Sequence, residues 1–156
     1  MAKFSQEFIN IELKNLSAEA KARHEKGWRY VQTLAVKVDK GTDLIYSFMK
    51  DGAMENIKIQ NVKDTDTVKS ITDFFIEAFV WENEIHDLFN INFEGIAIDF
   101  KGKFYNVTTD APMSVIGAEA KERKEKQAKI EAALAAKAAK AKEAKNEDKK
   151  SEVEGE

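Results

Sequence analysis

The chain has no cysteine among its 156 residues. That excludes disulfides, thiolate ligation of an iron–sulfur cluster by this chain and a cysteine nucleophile. It fits a reducing compartment. Histidine occurs only as His24 and His86, which leaves little for a zinc site made from this chain alone. Proline occurs once, at Pro112, and no aromatic residue lies from Asp110 onward. No run of about 18 apolar residues exists, so no membrane span is predicted. The opening MAKFSQEFIN has no apolar h-region, so no signal peptide is predicted either. Membrane attachment would have to come through a partner.

Apolar residues make up 43% of the chain and charged residues 34%, enough for a packed core beneath a heavily charged surface. The charge is uneven. Residues 1–114 hold 14 Lys/Arg and 18 Asp/Glu, a net of −4. Residues 121–145 hold 9 Lys/Arg and 4 Asp/Glu, a net of +5, and the last eleven residues return to −3. Two separable parts follow: a domain over 1–114 and a tail over 115–156. The tail is rich in Lys, Ala and Glu, and Ile130 and Leu134 are its only large apolar residues between Lys121 and Lys150. It has high helix propensity and almost nothing to bury, so a solvated helix with a disordered acidic tip is expected.

Within the domain, Phe4, Phe8, Ile9 and Ile11 are apolar anchors. Asn10 can cap a helix placing Leu13, Leu16 and Ala20 on one face, or Ser17 can cap a shorter one, and Gly27 suits a left-handed end. Residues 28–38 alternate, with Trp28, Tyr30, Leu34, Val36 and Val38 predicted inward. A turn at Asp39-Lys40-Gly41-Thr42 leads to a strand carrying Leu44, Tyr46 and Phe48. Asp51-Gly52 is a hairpin signal leading to a third strand with Ile57 and Ile59. These three strands predict a small antiparallel meander.

The stretch SITDFFIEAFVWENEIHDLFNINFEG, residues 70–95, carries the chemistry. Ser70 through Asp73 read as a capping box that opens a helix. Ile71, Phe74, Phe75, Ala78, Phe79, Ile85 and Phe89 then form one stripe, with Glu82 in its middle and Glu84 and Asp87 roughly opposite. Val80, Ile76 and Leu88 lie off the stripe, so this helix is apolar on more than one side. Beyond it, residues 97–100 and 103–107 read as a terminal hairpin around Lys101-Gly102. The fold class expected is α+β: N-terminal helix, small antiparallel sheet, motif-bearing helix, terminal hairpin, solvated helical tail.

Glu82 and His86 are four apart and could meet as an acid–base pair or metal ligands. No serine or threonine nucleophile, glycine-rich phosphate loop or fingerprint motif accompanies them, and a metal site would need a third ligand beside a single histidine. The plainer reading makes Glu82 a half-buried structural or docking anchor. An unpaired buried charge costs several kcal/mol, so it needs a partner: Arg29 or Lys37 of the meander, or an arginine of another subunit. The basic tail raises nucleic-acid binding, but it has no aromatic stacking platform, and no nucleic acid is expected.

Ser70-Ile71-Thr72-Asp73, Ala78, the run Trp81-Glu82-Asn83-Glu84-Ile85-His86-Asp87-Leu88-Phe89-Asn90-Ile91, and Phe93 with Gly95 resemble the signature of the C chain, the 30-kilodalton subunit, of respiratory NADH dehydrogenase. Gly27-Trp28-Arg29-Tyr30 and Ile45-Tyr46-Ser47-Phe48 are similar to the family's first two strands. The resemblance covers about residues 10–95. Asn83 stands where the respiratory chains carry arginine, and Asn90 where they carry glycine. After Gly95 the family's next segment gives way to Ile96 through Tyr105. This shortened form looks more like the matching subunit of Ech-type energy-converting, membrane-bound nickel–iron hydrogenases.

The resemblance implies a subunit without a cofactor or catalytic residues of its own. It would pack beside a large nickel–iron subunit and a small iron–sulfur subunit on the cytoplasmic, inner face of the membrane. Trp81, Glu82, Glu84, Asp87, Leu88, Phe89 and Phe93 become the expected docking residues. A NADH- or ferredoxin–quinone oxidoreductase of complex I type is the alternative, and a stand-alone binding protein using the basic tail the second.

Overall fold

The structure, a computed structural model, describes residues 4–114; the expected tail over 115–156 lies outside them. Its elements run β1 (Ser5–Ile11), a single 3-10 turn (Leu13–Asn15), α1 (Leu16–Glu25), β2 (Arg29–Val38), β3 (Gly41–Lys50), β4 (Ala53–Val62), β5 (Thr67–Lys69), α2 (Ala78–Phe89) and β6 (Asn92–Glu94). The class is α+β, as expected. β2, β3 and β4 form the antiparallel meander, and β1 joins it parallel to β4, giving a mixed sheet in the order β1-β4-β3-β2.

The N-terminal strand replaces the expected Asn10-capped helix. Pairing with β4 sets Ile9 and Ile11 beside Ile57 and Ile59, and burying that apolar pair outweighs a helix cap. The helix therefore starts late, at Leu16, with no side-chain bond from Asn15. It buries Leu16, Ala20 and Arg23 against the sheet and ends at Gly27, whose φ of +74° is the left-handed stop. Arg23 fastens it to β4: its guanidinium donates to Glu55 Oε2 at 2.7 and 3.0 Å and to Glu19 Oε2 at 2.6 Å.

β3 follows its alternation, with Leu44, Tyr46 and Phe48 all at zero exposure. β2 does not. A bulge between Tyr30 and Gln32 shifts the phase by one residue, so Tyr30, Thr33 and Ala35 face the core while Leu34 and Val36 point out. One inserted residue inverts every later side chain. The left-handed pair Asp51 and Gly52 makes the β3–β4 hairpin turn.

α2 lies across the inner face, against β2. Tyr30, Phe48 and Phe75 meet with ring centroids 5.2 to 5.9 Å apart, and this aromatic cluster joins the sheet to the segment that leads into α2. The helix starts at Ala78, eight residues after the expected capping box, because Ser70 spends its hydroxyl elsewhere. Val68 and Ile91 anchor a small parallel pair, β5 with β6, that bridges the two ends of this region.

Candidate functional site

α2 carries the polar residues that the sequence singles out, and they divide between two sides of the helix. On the core side Glu82 is fully enclosed. Ser70 Oγ donates to its Oε2 at 2.6 Å and the Ile71 N–H to its Oε1 at 3.1 Å. The bonding continues outward: Ser70 Oγ sits 2.7 Å from Thr72 Oγ1, which reaches the Gly95 carbonyl at 3.2 Å and accepts the Ala97 N–H at 3.0 Å. The loop before α2 and the loop after β6 are thereby locked to one helix residue.

Among the described residues no cation answers Glu82. Lys37 pairs instead with Asp64 at 3.9 Å, and Arg29 donates to Met49 Sδ. Burial pushes the Glu82 carboxyl up to about 7, against the lowering effect of the Ser70 and Ile71 bonds. Protonation thus stands in for the Arg29 or Lys37 pairing expected within the chain. The network accepts either state, since a protonated Oε2 can donate to Ser70, Ser70 to Thr72 and Thr72 to the Gly95 carbonyl. The Tyr46 hydroxyl lies buried nearby without a hydrogen-bond partner among the described residues. Burial, then the charge of Glu82, pushes its ionisation far up.

On the other side α2 binds the chain's own continuation, residues 96–114. Asn83, at zero exposure, donates to the Phe79 and Ile98 carbonyls at 2.7 and 2.8 Å and accepts the Phe100 N–H at 2.9 Å. Asp87 Oδ2 accepts the Tyr105 N–H at 2.8 Å, Glu84 Oε2 accepts the Tyr105 hydroxyl at 2.7 Å, and the Leu88 carbonyl accepts the Met113 N–H at 2.8 Å. These contacts explain why the expected terminal hairpin is only a turn. Lys101 and Gly102 do adopt left-handed angles. The Phe100 and Tyr105 amides, however, are consumed by α2 and do not pair across a ladder. Phe100, Phe104 and Tyr105 stack edge to face along this strap, with centroids 5.0 to 5.1 Å apart.

The structure thus brings Glu84 and Asp87 together on Tyr105 and sets Glu82 apart from both. Trp81, Phe89 and Phe93 are half-buried and pack on the core margin, and Leu88 is half-buried. Glu82 and His86 do not bond each other; His86 Nδ1 instead faces the Ile91 carbonyl at 3.0 Å. His86 also lines a cavity of about 280 Å³ with Asn92, Phe93, Ile96, Asp99 and Lys101. Among the described residues no cluster of three or more His, Asp or Glu could hold a metal ion, and no helix is long and apolar enough to cross a membrane. Sequence reasoning gave no role to Asn83, although an amide inside so apolar a helix was itself a signal that backbone groups needed a partner.

Residues 9–99 match the family of the respiratory-chain NADH dehydrogenase, 30 Kd subunit. Two solved structures share the fold. One is of the membrane-bound sulfane sulfur reductase (MBS), an archaeal respiratory membrane complex, with a TM-score of 0.56 and 17% identity over 65% of this chain and 64% of that one. The other is a trypsin-resistant fragment of Nqo5, with a TM-score of 0.53 and 17% identity over 60% of this chain and 82% of that one. This chain therefore spans less than two thirds of the sulfane sulfur reductase chain. No curated protein matches it by sequence. The family match runs from β1 through α2 to the strap's first residues and takes in more than half the sequence, so the chain belongs to the 30 Kd subunit family of respiratory-chain NADH dehydrogenase.

Proposed function

We propose that this chain is a non-catalytic structural subunit of a membrane-bound, energy-converting hydrogenase that passes electrons from ferredoxin to protons. It docks to a large nickel–iron subunit and a small iron–sulfur subunit on the cytoplasmic face. The observation that carries this reading is the family match over residues 9–99, which spans the whole of α2. Electron transfer depends on fixed spacing among cofactors, and a rigid protein wedge supplies that spacing without touching them. Trp81, Leu88, Phe89 and Phe93, half-buried at the margin of α2 and β6, are the apolar anchors for docking, with Glu84 at their edge. Glu82 and Asp87 support that surface from within, since their oxygens bind this chain's own loops.

The test is isolation of the tagged full chain from its native membranes, followed by identification of what accompanies it. A nickel-containing large subunit and an iron–sulfur subunit in equal amounts are expected. Recovery of the chain by itself under gentle detergent contradicts the reading. The family's own description favours one alternative, a complex I-type quinone oxidoreductase. A nickel-free complex that reduces quinone would establish it.

A further inference from the structure

The two edges of the four-stranded sheet are built differently. β2, at one edge, carries a bulge, Arg29 and Lys37, and packs against α2; charge and irregularity are the usual guards against stray strand pairing. β1, at the other, has none of these. It pairs with β4 over seven consecutive residues without a register shift. It holds no proline and no basic residue, and its one charge is Glu7. No strand covers its outer edge among the described residues.

Its sequence is self-complementary about Phe8. The Ser5 N–H points toward the β4 side, to the Gly52 carbonyl at 3.2 Å. Backbone groups alternate in direction along a strand, so Gln6, Phe8 and Asn10 turn their N–H and C=O groups to the open edge. Phe8 is the middle residue of Ser5–Ile11. A two-fold axis through it matches strand to strand over its full length and pairs outward-facing residues only with outward-facing residues: Phe8 with Phe8 of the second copy, Gln6 with Asn10. Both pairs lie on the sheet face opposite α2, because Phe8 is in register with Asn56, which bonds Ser47 away from the apolar core, while its neighbour Ile9 is in register with Ile57 of that core. Phe8 is 58% exposed and Phe4, of the same parity, 56%. An aromatic flanked by amides then meets its own copy, an arrangement that stabilises antiparallel pairs.

We infer that β1 is a self-association edge: two copies of this chain pair antiparallel through Ser5–Ile11 into a continuous eight-stranded sheet. The contact is isologous and closed, so it stops at a dimer. It caps the unguarded edge while the chain is apart from its complex, and it does not depend on what that complex is. One feature opposes it. Glu7 and its copy fall on diagonal positions, about 7–8 Å apart, so added salt tightens the pair.

Because the chain lacks cysteine, engineered thiols report the geometry directly. In the pair, Cα atoms at position 8 lie about 5.5 Å apart, within disulfide reach. The full chain is expected to sediment as a dimer whose affinity rises with salt and with Glu7→Gln. Phe8→Lys should weaken it at least about tenfold, since two ammonium groups then face each other, with the far-ultraviolet spectrum and melting curve unchanged. Under mild oxidant Phe8→Cys should become covalently dimeric, whereas Val36→Cys, exposed on the opposite edge strand, should not. A chain that stays monomeric into the millimolar range overturns the inference. So does a dimer that survives Phe8→Lys, or one that cross-links equally through Val36→Cys.

Discussion

Two sides of one helix treat the same side chain in opposite ways. Glu82 faces the core, has no exposure and no cation among the described residues, and burial pushes its carboxyl up to about 7. Five residues on, Asp87, itself buried, faces the chain's own continuation and pins the backbone of residues 96–114 with one oxygen, while Glu84 holds the Tyr105 hydroxyl. On one side the acid locks two loops; on the other, the acids and Asn83 hold a strap. What distinguishes the sides is the segment that supplies the donors: the loop before α2 for Glu82, the later strap for Glu84 and Asp87.

The contrast can be broken most forcefully at Asn83. Replacing it with leucine keeps the branched shape but strands the Ile98 carbonyl and the Phe100 N–H. With about 1–3 kcal/mol for each unpaired buried group, a loss of about 4 kcal/mol is expected in chemical denaturation. Rapid hydrogen exchange at the Phe100 amide should accompany it. An unaffected exchange rate there would show that the strap does not depend on α2.

Glu82 comes next, through pH. Its ordinary value is 4.5 and its folded value about 7, so between these the folded chain holds a proton that the unfolded chain releases. Stability is therefore full below about pH 4.5 and falls as pH rises toward 7, by about 3 kcal/mol in total. Glu82→Gln should remove that slope in denaturant melts taken at several pH values. A slope that persists in the variant assigns it to another group.

Asp87→Ala should cost less, about 1–2 kcal/mol, because the Tyr105 N–H it releases is near solvent. Smallest is the Glu84–Tyr105 contact. The Glu84 bond raises the ionisation of the Tyr105 phenol, so Glu84→Gln should lower its spectroscopic titration midpoint while leaving the melting curve in place. An unmoved midpoint removes that bond from the account.

How far the sequence could be read follows the range of the interactions involved. The stripe that puts Glu82 among Ala78 and Ile85, the alternation of Leu44, Tyr46 and Phe48, and the stops at Gly27 and Asp51-Gly52 are local signals, and each has its structural counterpart. Pairing of β1 with β4 joins residues nearly fifty apart, and no local pattern announces it. The bulge after Tyr30 inverted the inward set of β2 because alternation alone has no means of counting an extra residue. Ser70 matches a helix cap perfectly well in isolation; a carboxylate twelve residues later claims its hydroxyl. The hairpin at Lys101-Gly102 failed for the same reason, as Asn83 and Asp87 outcompete a ladder for the Phe100 and Tyr105 amides. Glu82 was legible as a buried acid, but a search for cations in the meander could not find the hydroxyl and the amide that bond it.

The central claim is that the acids of α2 serve architecture and take no part in a reaction. It is tested most directly by the specific turnover of the assembled native complex carrying Glu82→Gln, normalised to the amount of complex recovered. The account predicts turnover equal to that of the parent complex. Turnover lost from a complex that assembles in full would contradict it.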